Sequence, residues 1–334
     1  MRDKILITGA SGCVGSSLVK RLVEQGHDVR CLDLSNTWHP FLDNLSFEMV
    51  RGSITNIKDV EKAVKGCDYV YQVAGFVSYN VNDHKKMYDV HVNGVRNVLQ
   101  AAKKYGVKKV VVTGSTAGIG IPKNKNLPLN EDAPFDFEKY RKVMYMYSKY
   151  LSMEDCKKFS KEGLHVSIVS PTTIYGQGDI TMHIGNTVKK INEGMLNVAP
   201  PGGKAVVSID DVVDAHLLVM KKGKSGENYV FADEFIPYQE MFNRIAILLN
   251  KPPITRVSSK WILPFTKAYL SVVEKTMLFF NKNPKQSPHS VNFKFKYRYF
   301  DSTKARKELG WKPKVSFDEA MQKAIDFYKE QHLL

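Results

Sequence analysis

A turn carrying three glycines, set between an apolar run and an amphipathic stretch, constrains this chain more than any other feature. In KILITGASGCVGSSLVKRLVEQGHDVRCLDL the run Ile5 to Ile7 precedes Gly9, Gly12 and Gly15. From Ser16 to Gln25 the apolar positions Leu18, Leu22 and Val23 recur at helical spacing, Gly26 stops them, and Val29 to Leu32 is again strand-like. Strand, glycine turn, helix and strand in that order open a doubly wound parallel sheet. Side chains missing from the turn let backbone N–H groups and the positive helix end approach a pyrophosphate. Gly9, Gly12, Cys13, Val14 and Gly15 are therefore expected to hold the phosphates of a dinucleotide.

Asp33 ends the second strand, where a carboxylate accepts hydrogen bonds from ribose hydroxyls and repels a 2′-phosphate. Its neighbours Leu34, Ser35 and Asn36 supply no cation, which favours NAD; Arg30 and Arg51 keep NADP open. The plainer alternative is that Asp33 caps a turn in polar loop material.

The alternation continues with strands at Phe47 to Val50, Tyr69 to Val73, Lys109 to Thr113 and Val166 to Ser170. Between them lie helices through Val60 and Val64, from about Asp83 to Tyr105, and onward to about Ser160. The expected class is α/β, with a nucleotide-binding domain over 1–170 and a smaller substrate lobe over 171–334. The segment 205–233 is expected to return to the main sheet. Helices are predicted at Val212 to Lys221, Tyr238 to Leu249 and Ser316 to Gln331, the last opening with a Ser316 to Glu319 capping box.

With 334 residues, 43% hydrophobic and 25% charged, the composition is that of a globular protein. No apolar stretch approaches the ~20 residues that span a bilayer, and the first residues run directly into a strand, so a cytoplasmic location is expected. Cys13, Cys31, Cys67 and Cys156 lack metal-ligand spacing and are expected to be reduced, with no metal bound. The net charge of +15 comes from lysines spread over predicted helix surfaces, such as Lys103, Lys104, Lys157 and Lys158, rather than set among stacking aromatics. A solvated basic surface is expected, and no nucleic acid.

Tyr145 and Lys149, in YMYSK, stand one helical turn apart, a phenol and an amine on one face. Tyr140, Tyr147 and Tyr150 lie nearby, and only Tyr145 has lysine at the fourth following position. With TGASGCVG at Thr8 to Gly15, VAG at Val73 to Gly75, TGSTAGIG at Thr113 to Gly120 and SPTTIYGQGD at Ser170 to Asp179, the chain resembles the extended short-chain dehydrogenase/reductase family over nearly its whole length. The late ELGWKPKVSFDEAM resembles that family's closing segment.

The resemblance implies a catalytic set of Ser115, Tyr145 and Lys149. A free tyrosine has a pKa near ~10, and an ammonium on the same helix face together with the positive nicotinamide would lower it. Ser115 would hold the substrate oxygen, Tyr145 would exchange its proton, and Lys149 would also contact the cofactor ribose. Thr113 and Asn93 are implied beside the cofactor, although Asn93 can equally bond locally within its helix. Val73, Ala74 and Gly75 would lie against the adenosine, where the alternative is an ordinary glycine stop. Pro171 and Ile174 would flank the nicotinamide. Where the family carries Asp this chain has Ser53, which weakens the adenine contact expected of Ser53 and Ile54. Gly114, in place of a commoner serine, is expected to open space beside the substrate.

The polar anchors that grip a diphosphate in nucleotide-sugar relatives are absent at Ser170 and at Val206 and Val207, so the pattern is more similar to the dihydroflavonol reductase and 3β-hydroxysteroid dehydrogenase branch. An NAD(P)-dependent interconversion of secondary alcohol and ketone on a largely apolar small molecule is expected, in a homodimer. A nucleotide-sugar epimerase or dehydratase and a non-enzymatic nucleotide sensor are the alternatives. Trp261, Phe265, Tyr269, Val272, Thr276 and Phe280 recur at helical spacing, as a packed lid, an oligomer contact or a surface that touches membrane.

Overall fold

In the computed structural model the residues described are 3–34, 39–280 and 288–334, apart from the side chains of 289 and 290; Ser35 and Asn36 lie outside them. Strands β1 (Lys4–Thr8), β2 (Asp28–Asp33), β3 (Glu48–Arg51), β4 (Tyr69–Gln72), β5 (Lys109–Thr113) and β6 (Val166–Pro171) are joined by crossover connections. Next come β7 (Thr173–Tyr175), β8 (Val198–Ala199), β9 (Gly203–Ser208) and β10 (Asn228–Phe231), then β11 (Glu234–Pro237), β12 (Arg256–Val257) and β13 (Tyr297–Arg298). The main sheet is wholly parallel in the order β10-β6-β5-β4-β1-β2-β3, with the order reversing beside β1. Ligands of such sheets gather at the carboxyl ends of the strands near that reversal.

Strands buried on both faces read as continuous apolar runs, and Leu6, Ile7, Val110, Val111 and Ile168 are fully enclosed. One face is covered by α1 (Cys13–Glu24) and α8 (Ile209–Lys222). The other is covered by α2 (Ile57–Val64), α4 (Val95–Lys104) and α6 (Met144–Lys161). Before α4, α3 (His84–Tyr88) leads into a wider turn over Asp89–Gly94 with i→i+5 geometry, so the helix expected from Asp83 to Tyr105 is continuous but carries one extra residue per turn at its middle.

Short helices α5 (Phe137–Tyr140) and α7 (Gly185–Asn192) precede α9 (Tyr238–Leu248), α10 (Leu263–Phe279), α11 (Pro288–Lys294) and α12 (Phe317–Glu330). A small second sheet is built on β9, flanked by antiparallel β11 and by β7 and β13 in parallel. The closing segment is pinned by the buried Asp211 carboxylate, which accepts the Lys314 and Val315 amides, while the enclosed Trp311 indole donates to the Asp211 carbonyl. Ser316 caps α12 by accepting the Glu319 N–H at 3.3 Å.

One expectation is overturned at α10. Trp261, Phe265, Tyr269 and Val272 are 65–70% exposed, and no residue of α10 is buried. The helix packs on α11 with its more polar side inward, so the aromatic stripe faces solvent and is not a lid packed on the molecule. No helix among the described residues is long and apolar enough to cross a membrane, and no group of acidic, histidine and cysteine residues there is arranged to hold a metal.

Candidate active site

Three glycines shape the first turn in three different ways. Gly9 has φ +69°, and a Cβ there would stand 2.6 Å from the Ala74 Cα. A Cβ on Gly15 would fall 2.0 Å from the Gly9 carbonyl oxygen, so this glycine lets α1 pack on β1. Gly12 is exposed, and an added Cβ would meet nothing closer than 3.4 Å. The α1 N-terminus has no side-chain cap and no acidic residue in its first turn, so no side chain claims the positive end of the helix. Such a cradle fits a pyrophosphate.

Asp33 stands at the tip of β2 and accepts both the Ser11 N–H at 2.8 Å and the Ser11 hydroxyl at 2.9 Å, bracing the glycine turn. Of the two cations that kept NADP open, Arg30 is committed: its Nε pairs with Glu48 at 2.9 Å, and an Nη donates to the Ala63 and Lys65 carbonyls. Arg51 is exposed, directly across from Asp33 at the end of β3. Ser53 is half-buried and Ile54 is buried. The Ser53 hydroxyl is 2.7 Å from that of Thr55, and Ile54 is buried against Gly94. Val73 and Ala74 donate their amides to the Thr8 hydroxyl, which holds the end of β4 close to the glycine turn.

At the carboxyl end of β5 the Thr113 carbonyl accepts the Lys149 ammonium at 3.0 Å, while the Thr113 hydroxyl is 2.8 Å from His216 Nε2. His216 Nδ1 lies 2.7 Å from the Val212 carbonyl and so must carry the proton, leaving Nε2 to accept from Thr113. Ser115 follows, close enough to the Tyr145 phenol to oppose the rise in its pKa, and its hydroxyl accepts the Ala117 N–H at 3.1 Å. Gly75 reaches the same place, with a Cβ there falling 3.6 Å from Lys149 Nζ. Pro171 closes β6, and Ile174 on β7 packs partly into the core beside α8.

The structure thus brings Gly75, Thr113, Ser115, Tyr145 and Lys149 together, with the glycine turn and Asp33 farther along the same sheet edge. Asn93 is turned to its own helix, donating to Asp89 at 3.0 Å. Gly114 opens no space, because Ser170 Oγ and Ile168 would lie 2.7 and 2.8 Å from an added Cβ. Cys13 leans on the Gln177 carbonyl, and burial pushes its thiol up to about 12, so it stays protonated.

The electrostatics differ from the expectation of a phenol lowered by its lysine. Burial pushes Tyr145 up to about 12, opposed by the nearby Ser115 hydroxyl and the Arg298 guanidinium. Lys149 is itself brought down to about 8 by burial, and its ammonium is directed at Thr113, not at the phenol.

Several groups in this region were not singled out from sequence. His91 is buried in the wide turn, its ring 5.8 Å from that of Tyr145. Its Nε2 accepts the Phe76 N–H, so Nδ1 donates to the Ser148 hydroxyl at 2.9 Å, and burial holds it neutral down to about 3. Tyr79 stacks edge-on to Tyr145 at 6.0 Å, and the Arg298 guanidinium acts on both phenols. A histidine inside the step from Val90 to Val95, itself a spacing of five, was the available sign for His91 only once the turn was known. No local signal joins Arg298 to Tyr79.

The NAD dependent epimerase/dehydratase family model matches residues 5–232. The chain is 29% identical to a Synechocystis sp. protein bearing the name dihydroflavonol 4-reductase, over 98% of this chain and 95% of that one. It is 25% identical to the 3-beta-hydroxysteroid dehydrogenase of Mycolicibacterium neoaurum, over 98% and 92%. Among solved structures, that of gox2253 superposes with a TM-score of 0.85 at 27% identity, covering 99% of both chains.

Proposed function

Because the chain belongs to the NAD dependent epimerase/dehydratase family, we propose that it interconverts a secondary alcohol and a ketone, or reduces an aldehyde, on a small molecule with an apolar body. The observation that carries this reading is the buried Tyr145 phenol with the Ser115 hydroxyl acting on it and Lys149 one turn along the same helix. The dihydroflavonol reductase and hydroxysteroid dehydrogenase relatives support an oxidoreductase.

The glycine turn and the first-turn amides of α1 would hold a dinucleotide pyrophosphate, and Asp33 would meet the adenosine ribose, which favours NAD over NADP. A bound nicotinamide dinucleotide supplies a hydride acceptor or donor. In reduction the Tyr145 hydroxyl gives its proton to the substrate oxygen held by Ser115; in oxidation it receives that proton. A phenol drawn up to about 12 is protonated at neutral pH, so the acid role is ready in the resting protein. Lys149, anchored by Thr113, places positive charge beside the glycine end of β4.

The test is a panel of alcohols, ketones and aldehydes with free NAD and NADH, followed by absorbance. Net turnover is expected. Conversion of sugar nucleotides to their epimers, without net change in free NAD(H), would refute the reading in favour of an epimerase. A homodimeric assembly belongs to the same proposal, and sedimentation at one subunit mass would refute it.

A further inference from the structure

The positive charge expected to be spread over helix surfaces is concentrated in one stretch. Residues 251–300 hold ten lysines and arginines against one acidic residue, Glu274, and so carry nine of the chain's fifteen surplus positive charges. Among the described residues the ion pairs stop at Arg244, held by Glu234 and Asp318, and resume at Lys304, held by Glu227. Lys251, Arg256, Lys260, Lys275 and Lys296 are exposed, whereas Glu274 is half-buried with one carboxylate oxygen shut off from solvent. A field of one sign, with no carboxylate answering it, draws an anionic surface.

The same stretch carries the α10 stripe. Trp261, Phe265, Tyr269 and Val272 are continued by Phe279 and Phe280, which are 82% and 63% exposed. Pro264 and Ala268 are exposed between the aromatics. At a rise of about 1.5 Å per residue, 261 to 280 spans roughly 28 Å of solvent-facing apolar surface. Contiguous apolar surface on that scale marks a contact with another body.

The shape and the charge together choose that body. The stripe is the convex outer side of a single helix backed by α11, and protein partners seat their anchors in pockets, whereas the fluid boundary of headgroups and acyl chains moulds itself to a convex helix. Tryptophan and tyrosine concentrate at that boundary, and lysines beside an apolar face meet lipid phosphates. A second copy of the chain fits worse. Two-fold pairing sets a face against itself, so the cationic stretch of one copy would meet that of the other without an acid between them.

We propose that α10 docks this protein on an anionic lipid bilayer, with the aromatic stripe sunk to the level of the headgroups and upper acyl chains and the lysines of 251–300 around it. The helix lies along the surface and does not span it: its 17 residues include Lys267, Glu274 and Lys275, and no helix among the described residues is long and apolar enough to cross. The inference does not depend on the reading of Tyr145.

The test is flotation of the purified full chain with vesicles of phosphatidylcholine alone and of phosphatidylcholine with about one-third phosphatidylserine. At least tenfold more protein is expected to float with the anionic vesicles, and added salt should reduce it. Emission from the exposed Trp261 should shift to the blue on binding, and Trp261→Phe should abolish the shift, since Trp311 is already enclosed. Phe265→Ser combined with Tyr269→Ser should cut flotation at least tenfold at an unchanged melting temperature, because both side chains are exposed in the free protein. Lys260→Glu combined with Lys275→Glu should cut it by a similar factor on the anionic vesicles.

Equal or absent flotation with the two kinds of vesicle overturns the proposal, as does binding that survives both pairs of substitutions. Sedimentation without lipid tests the second copy. A dimer that Phe265→Ser with Tyr269→Ser splits into single subunits assigns the stripe to self-association and overturns the docking, while a mass unchanged by those substitutions supports it.

Discussion

At the scale of single residues, Gly12 and Gly15 look alike in sequence and differ in what surrounds them. Gly15→Ala would drive a methyl group to 2.0 Å from the Gly9 carbonyl, and the expected loss is about 1–3 kcal/mol of stability, read as a lower denaturation midpoint. Gly12→Val has room to fold and is expected to keep its melting temperature while weakening NAD binding, which titration of the cofactor would measure. Equal melting temperatures for the two variants would contradict this division. Tyr145→Phe keeps the ring packed against His91 and Tyr79 but removes the transferable proton, so roughly a 10²–10⁴-fold loss of turnover is expected with cofactor affinity retained. Wild-type turnover in that variant would remove Tyr145 from the chemistry. The phenol, the lysine and the glycines were legible because their spacing is local. His91 and Arg298 were not, since each takes its meaning from a partner on another element.

At the scale of elements, the boundaries followed local chemistry closely: β5 ends where the glycine of TGS begins, and Ser316 caps α12 as its sequence suggests. What local reading missed is how elements are fastened together. Lys109 lies in β5 with its side chain buried, and its ammonium donates to the Val219 and Gly223 carbonyls at 2.7 and 2.6 Å, satisfying the C-terminal end of α8. In sequence it reads as one more surface lysine. Lys109→Met fits the space but removes one donor from each carbonyl, leaving Val219 with the Gly223 N–H and Gly223 with His165 Nε2, and a cost of about 1 kcal/mol in chemical denaturation is expected. An unchanged midpoint would mean that water takes over both bonds. The α10 stripe was misjudged for the converse reason. Helical periodicity identifies an apolar face, but not whether that face points at the protein, and here Phe265 and Tyr269 each stand 68% exposed.

At the scale of the whole molecule, the parallel sheet and its two covering layers were readable because strands buried on both faces announce themselves as apolar runs between amphipathic helices. The small sheet was not, being made of strands two to six residues long brought together from distant parts of the chain. Two histidines beneath the site give the molecule a shared response to acid. Burial lowers His91 to about 3 and His216 to about 4, so between those values and 6.5 the unfolded chain binds protons that the folded one refuses. Stability is therefore full above about pH 6.5 and falls as the pH drops below it, by up to ~1.4 kcal/mol per pH unit for each histidine. Thermal melts between pH 7 and 5 would register this, and a flat midpoint would contradict it.

The wide turn over Asp89–Gly94 has a consequence for descent as well as for shape. Within it the helix carries a surplus residue, so the faces of α3 and α4 are out of step by about 100°, and His91 turns toward Tyr145 while Gly94 meets Ile54. Deleting any one residue there would heal the helix and swing α3, with its lysines, around to a different side. A change of length in this segment is therefore costlier than a substitution at half-buried Val90 or Asn93, and the aromatic neighbourhood of the phenol is kept in place by a miscount.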